Sequence, residues 1–250
     1  MRPLLEAPAE ALWRAHSDAV NAALLERWLP REACRLILKT DLFDEAVGEG
    51  LYPLLAVHAH NVAAIDRAPS VLAAAVVHYP QLLAVAADVR QLPFGSETLD
   101  VVVSNSTLDH FAAGDEIATA LRELHRVLRR GGRLLLTMDN LANPLVALRN
   151  ALPFRLLHRL GLVAYPVGAT CRPRRLTRLL QEVGFEVRET VALLHCPRFA
   201  AVPIARRLQR RGTSAKRKRF LRRLRHWERL AKLPTRYLTG YFVGVDARKP

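Results

Sequence analysis

The apolar positions of the chain change period several times, and those changes outline its elements. Leu82 to Ala87 is an unbroken apolar run, as expected of a strand buried on both faces, and it ends on Asp88. After a Gly-Ser turn, Leu99-Asp100-Val101-Val102-Val103-Ser104-Asn105 forms a second such run that closes in small polar residues. The period then lengthens to that of a helix, with Ile117, Leu121, Leu124 and Leu128 on one face, and Gly131-Gly132 is expected to stop it. Leu134 to Met138 reads as a further strand ending on Asp139-Asn140. Strand and helix in alternation predict an α/β fold, a doubly wound, mainly parallel sheet with helices on both faces.

The pattern extends in both directions. Arg35 to Asp41 reads as the first strand, Val62 to Asp66 as a short second one, and Pro69 to Tyr79 as a helix of small residues. Leu176-Thr177-Leu179-Leu180 with Gly184 reads as a helix and its stop, and Phe185-Glu186-Val187 as a sixth strand. Upstream, Pro8 to Leu29 places Leu12, His16, Ala19, Ala23 and Trp28 near one face of a capping helix closed by Pro30. Leu141 to Gly168 breaks the alternation, with three prolines among many leucines. It follows directly on a strand tip, so it either folds over a pocket as a lid or completes the core.

Length and composition keep this to one domain. Half of the 250 residues are apolar, enough for one large core. No apolar run approaches the roughly 18 residues of a membrane span, and Glu6, Glu10 and Arg14 stand where a signal peptide would be apolar, so a cytoplasmic protein is expected. Cys34, Cys171 and Cys196 form no CxxC pair, which predicts three reduced thiols and no metal site. The net charge of +15 is local: Arg206 to Arg236 holds fourteen Lys or Arg against the single acid Glu228, a net +13. The rest of the chain is nearly neutral, so the basicity belongs to an appendage.

The segments AADVRQLPF, LDVVVSNSTLDHF and ELHRVLRRGGRLLLTMDN, in this order and spacing, resemble the central motifs of class I S-adenosylmethionine-dependent methyltransferases of the type 11 kind. The resemblance runs from about Arg35 to Val187 and resumes at Gly240 to Val245. It implies a Rossmann-like sheet with an antiparallel last strand and a cofactor-binding core over 35–140; the residues themselves add a lid over 141–168 and a basic helical insertion over 200–236. It also implies a methyltransferase that binds S-adenosyl-L-methionine. By its motifs Asp66, beside Arg67, accepts both ribose hydroxyls, as a carboxylate's two oxygens suit a diol. Asp88 takes the adenine amino group with the backbone of Val89 on the ring, and Asn105 and Ser106 lie beside the sulfur.

The first motif departs from the family. In place of an acid followed by Gly-x-Gly-x-Gly, the chain has Thr40-Asp41-Leu42-Phe43-Asp44-Glu45-Ala46-Val47-Gly48-Glu49-Gly50. Gly48 and Gly50 remain available for close backbone approach, and Thr40, Asp41 and Glu45 are candidates for the methionine end, while Asp44 reads as a helix start. On the acceptor side His110 and Asp139 are the catalytic candidates, and Asn140 and Asn143 the substrate contacts. His110 suits a base near neutral pH, or it merely starts the next helix.

The expected acceptor is a small molecule, or one linked to a lipid or glycan. RNA methylation and a non-catalytic methyltransferase-like scaffold are the alternatives, whereas a nicotinamide dehydrogenase would need a GxGxxG after the first strand, which is missing. Arg206 to Arg236 reads as two amphipathic helices around Gly212-Thr213-Ser214, with Phe220, Leu224, Trp227 and Leu230 or Ala231 on one face of the second. Its expected partners are an anionic membrane surface, RNA, or the protein's own body.

Overall fold

The computed structural model describes residues 11–159 and 168–250. The first turn of the expected cap, with Glu6, Pro8 and Glu10, and the lid stretch 160–167, with Pro166, lie outside the described residues. The first half of the fold contains α1 (Ala11–Trp28), β1 (Cys34–Lys39), α2 (Phe43–Val47), α3 (Tyr52–His58), β2 (Ala59–Asp66), α4 (Pro69–His78), β3 (Leu83–Ala86) and β4 (Leu99–Asn105). It continues with α5 (Gly114–Val127), β5 (Leu128–Asp139), α6 (Pro144–Ala151), α7 (Phe154–Arg159), α8 (Pro173–Val183) and β6 (Glu186–Leu193). The basic helices α9 (Arg198–Arg211) and α10 (Ser214–Trp227), the short α11 (Arg236–Thr239) and β7 (Phe242–Arg248) complete it.

The strands form a single seven-stranded sheet in the order β3-β2-β1-β4-β5-β7-β6. β1 to β5 pair in parallel, and β7 runs antiparallel between β5 and β6. Burial on both faces explains the run of β4, whereas β3, expected to be buried likewise, is an edge strand with Leu83 51% exposed, a correction. Val102 and Leu38 point to a core shared with Ile117, Leu121 and Leu124 of α5 and Leu176 of α8. Val101, Val103 and Ile37 point the other way, against Leu25 and Trp28 of α1 and Val71 and Ala75 of α4. Deleting the side chain of a leucine such as Leu121, fully buried, would cost about 2–5 kcal/mol.

Two further expectations are corrected here. Gly131-Gly132 does not stop α5, which already ends at Val127; both glycines lie inside β5. They occupy an irregularity where the pairing jumps from Leu99↔Leu128 to Val101↔Arg133, and Gly131 takes φ +77° while its N–H bonds to the Lys249 carbonyl. The buried face of α1 is rotated from the expected one, since Ala23 is exposed and Trp13, Asn21 and Leu25 are buried. The described part of the lid is helical, and Pro144 opens α6 behind an Asn143 cap.

The basic helices pack back on the body. Leu224 of α10 and Ala201 and Ala205 of α9 share a small third core with Leu12 and Trp13 of α1, and Phe220 and Leu221 lean on it. Most of α10's apolar stripe therefore covers α1, while Trp227 stays 46% exposed. Among the described residues no helix is long and apolar enough to cross a membrane.

Candidate functional site

The sheet order reverses between β1 and β4, so the loops beyond the carboxyl ends of these strands open a crevice where open α/β sheets take ligands. The tip of β1 is built around a buried cation. Lys39 is 1% exposed, and its Nζ donates to Glu45 Oε2 at 2.9 Å and to the Asp41 carbonyl at 2.8 Å, with Asp41 Oδ1 at 3.3 Å. Burial alone would lower the lysine's pKa, but Asp41 and Glu45 outweigh it and hold the ammonium well above its ordinary value.

That ion pair corrects two assignments, Glu45 and Gly50. Glu45 is fully buried, and its second oxygen accepts from the backbone N–H groups of Leu51 (2.9 Å) and Tyr52 (3.2 Å), so it braces the loop and does not face a ligand. Gly50 takes φ +62°, and a Cβ there would sit 2.5 Å from Glu45 Oε1; the glycine makes room for the glutamate. Gly48 lies in extended backbone with nothing closer to its missing Cβ than Asp44 O at 3.5 Å, which leaves its face open. Thr40 is buried, and its hydroxyl is committed to Ser104 Oγ (3.0 Å) and Thr107 Oγ1 (2.7 Å). Asp41, its side chain 22% exposed, remains open to the crevice edge. Burial pushes its pKa up to about 6 against the pull of Lys39.

α1 docks on this loop. Arg14 donates to Asp44 Oδ1 at 2.7 Å and lies over the Phe43 ring, so the cap has a named contact that periodicity did not reveal.

At the tip of β2, Asp66 Oδ1 accepts from Ala68 N–H (2.8 Å) and Oδ2 from Leu42 N–H (3.2 Å). Each oxygen keeps capacity for a further bond, so a half-buried carboxylate fits a ribose diol. At the tip of β3, Asp88 is gripped by Arg90, whose Nε and NH2 reach Oδ1 (2.9 Å) and Oδ2 (2.6 Å), while the Arg90 N–H adds a bond to Oδ1. Arg67, itself mostly exposed, stands 3.5 Å from Oδ2. The Arg90 side chain lowers the Asp88 pKa and occupies the acid expected to meet adenine. Val89 is buried, its side chain in the core.

The tips of β4 and β5 hold a second acid pair. Asn105 Oδ1 accepts from Thr137 Oγ1 at 2.6 Å, and Ser106 is held at φ +52°, a left-handed conformation that a non-glycine residue adopts at a cost. Ser106 Oγ lies 3.0 and 3.2 Å from the oxygens of Asp109, and the Asp139 N–H donates to Asp109 Oδ2 at 2.9 Å. Asp109 is 5% exposed, and burial followed by the nearby Asp139 raises its pKa to about 6. Asp139 is ion-paired to Arg149 of α6, which also donates to the Tyr241 hydroxyl at 2.6 Å. His110 ends a short 3-10 turn with an exposed side chain.

Asn140 and Asn143 are not open to a substrate, a second correction. Asn140 donates to the carbonyls of Tyr237 and Gly240 and accepts from Ala142 N–H; Asn143 caps α6 and donates to Thr239 and Gly240. Both clasp α11 to the strand tip. Next to this pair opens a cleft of about 480 Å³ lined by Ala112, Leu141, Ala147, Asn150, Ala151, Gly168, Ala169 and Thr170. Asp109, Arg149 and Tyr241 were missed as a group because they meet only once β4, α6 and β7 are assembled.

Residues 43–136 match the family model described as a methyltransferase domain. Two Mycobacterium tuberculosis proteins, from strains CDC 1551 and H37Rv, both described as probable S-adenosylmethionine-dependent methyltransferases, are 29% identical over 121 residues. Those matches span 48% of this chain and 41% of each relative. The geranyl diphosphate C-methyltransferase of Streptomyces coelicolor A3(2), solved with Mg2+, geranyl diphosphate and S-adenosyl-L-homocysteine, is 12% identical with a TM-score of 0.62, covering 93% of this chain and 79% of its own. A methyltransferase from Bacillus halodurans C-125 is 19% identical with a TM-score of 0.58, over 92% of this chain and 99% of that one. The cyclase SpnF, at 19% identity, reaches a TM-score of 0.62 over 98% of this chain and 86% of its own, so these likenesses carry the fold and not the reaction. Fold, motif order and sequence relatives agree: residues 43–136 match a methyltransferase domain, and the chain is similar to the class I S-adenosylmethionine-dependent methyltransferases, a family whose cofactor is S-adenosyl-L-methionine.

Proposed function

We propose that this chain transfers a methyl group from S-adenosylmethionine to a small-molecule acceptor, or to one linked to a lipid or glycan. The observation that carries this reading is the convergence of Asp41, Asp66 and the strained Asn105-Ser106 turn on the crevice where the strand order reverses. Bound S-adenosylmethionine supplies a methyl group on a cationic sulfur, already activated for in-line displacement. Asp66 accepts the ribose hydroxyls, and Asp41 attracts the ammonium group. Positioning supplies most of the acceleration. The proton that the acceptor loses passes through the Ser106 hydroxyl to Asp109, which is ionised at neutral pH with a pKa near 6. Asp139, neutralised by Arg149, holds Asp109 through its backbone N–H. His110 is the rival base.

The acceptor enters by the cleft beside α6, whose mixed lining, small apolar residues with Asn150 and Thr170 among them, and modest volume suit a small molecule or the end of a chain. A membrane-proximal acceptor is favoured by the outer surface: Leu145, Leu148 and Leu156 of the lid, Phe199 and Ile204 of α9 and Trp227 are exposed among the arginines. Each Lys or Arg near an anionic surface is worth about 1 kcal/mol. The inward packing of Leu224 and Phe220 favours the competing view that the helices cover α1, and the occupied Asp88 favours a scaffold without catalysis.

S-adenosylhomocysteine release, measured with small-molecule, lipid-linked and RNA acceptors, tests the proposal. Turnover with the first two classes supports it, and turnover confined to RNA overturns the acceptor. With anionic vesicles at low salt, Trp227 fluorescence should shift to the blue. An unchanged spectrum, or vesicle flotation that leaves the protein behind, removes the membrane contact.

A further inference from the structure

Outside the crevice, three metal-ligating side chains from distant parts of the chain meet in the small core between α1 and the basic helices. His16 lies on α1, Cys196 just after β6, and Glu228 at the end of α10. His16 Nε2 is 3.7 Å from Cys196 Sγ and 3.6 Å from Glu228 Oε1, and all three atoms lie within 4.8 Å of one another. The 3.6 Å separation is long for an N–H···O hydrogen bond, which is about 2.7–3.2 Å. It suits the edges of a metal tetrahedron: zinc bonds of about 2.0–2.3 Å to N, O and S place the ligands about 3.4–3.6 Å apart.

Two more observations point to a ligand. His16 is 1% exposed; among the described residues its Nδ1 has no hydrogen-bond partner, and its Nε2 faces only Cys196 Sγ and Glu228 Oε1. Glu228 is held in place from behind, its oxygens accepting from the backbone N–H groups of Leu194 and His195 at 3.1 Å each, as outer contacts orient metal ligands.

We propose that His16 Nε2, Cys196 Sγ and Glu228 Oε1 bind one divalent transition cation, with zinc preferred for this mixed N, S and O set. The thiol proton leaves to solvent as the thiolate ligates, and a water completes the tetrahedron. The cation ties α1, the β6–α9 connection and the end of α10 together. α1 is also the helix that reaches the cofactor-side loop through Arg14 and Asp44, two residues from His16. The basic hairpin and the cap over the crevice are then joined at one point. The site is independent of methyl transfer and stands whether or not the crevice is catalytic.

Cobalt(II) titration of the metal-stripped full chain tests this. One equivalent should produce the near-ultraviolet thiolate-to-cobalt absorption, zinc should displace it, and zinc should raise the melting temperature. The Cys34→Ser/Cys171→Ser double variant, which leaves Cys196 as the one cysteine, should retain the band. Cys196→Ser should lose it, and His16→Gln should weaken cobalt binding. No thiolate band in the wild-type chain, or a band lost in the double variant, overturns the site. The wild-type and double-variant readings decide even if Cys196→Ser fails to fold.

Discussion

Two acid clusters sit at the same edge of the sheet and solve burial differently. At the tip of β1, Glu45 and Asp41 both bond one buried lysine, so Glu45 is spent on structure while burial still lifts Asp41 to about 6. At the tips of β4 and β5, Asp109 and Asp139 share a single cation, Arg149, which bonds to Asp139. Asp109 is left with a serine hydroxyl and a backbone N–H, and its pKa rises to about 6. In the first cluster the cation bonds both acids and braces the loop where the family has a glycine-rich turn; in the second it bonds Asp139 alone and leaves Asp109 against a serine hydroxyl that can relay a proton.

Four substitutions sharpen or break this contrast. The largest effect is expected at Lys39. Lys39→Met strands two acids, and losing one partner of a buried pair costs about 3–5 kcal/mol. Thermal unfolding should show the variant unfolded or far less stable at pH 7, and a loss below about 1 kcal/mol would mean the pair is no brace.

Asp66→Ala comes next. Removing a charged acceptor should weaken S-adenosylmethionine by about 1.5–3 kcal/mol, at least about tenfold in Kd. Unaltered affinity would remove Asp66 from the site.

The third concerns pH. Asp109 has its pKa raised from 3.8 to about 6, so the native state holds a proton that the unfolded chain has released. Its contribution to stability is full below about pH 4 and lost as pH rises through about 6. Asp41 and Asp18, raised to about 6 and about 7, chiefly by burial, act in the same direction. Asp109→Asn should flatten the pH dependence of the melting temperature by an amount on the order of 1–2 kcal/mol and lower turnover. An unchanged slope would mean that Asp109 titrates normally.

The smallest effect is expected at His110. A general base there would cost about 10²–10⁴-fold in turnover when removed. With Asp109 in that role, His110→Ala should lose less than about threefold, and a larger loss would hand the role to the histidine.

The strands and the order of motifs were legible because burial on both faces leaves apolar runs that end abruptly on polar residues, as Val101-Val102-Val103 does at Ser104. Gly131-Gly132 misled because a β-bulge and a helix stop make the same demand on a glycine. The placement of Asp66, a single carboxylate at a strand tip, was legible. The site was not legible at Glu45, Asn140 or Asp88, whose partners Lys39, Gly240 and Arg90 decide what each polar group does. Polar residues in a strand-tip loop look alike in sequence whether they face a ligand or clasp a backbone. His16, Cys196 and Glu228 are separated by most of the chain, so no spacing rule brings them together.

The central claim is that a crevice whose glycine turn has been replaced by an ion pair still takes S-adenosylmethionine. Isothermal titration of the full chain with that cofactor tests it most directly. The account predicts saturable binding at one site per chain, competed by S-adenosylhomocysteine and weakened at least about tenfold by Asp66→Ala. Well-folded protein that takes up no heat at millimolar cofactor would contradict it and leave a methyltransferase fold put to another use.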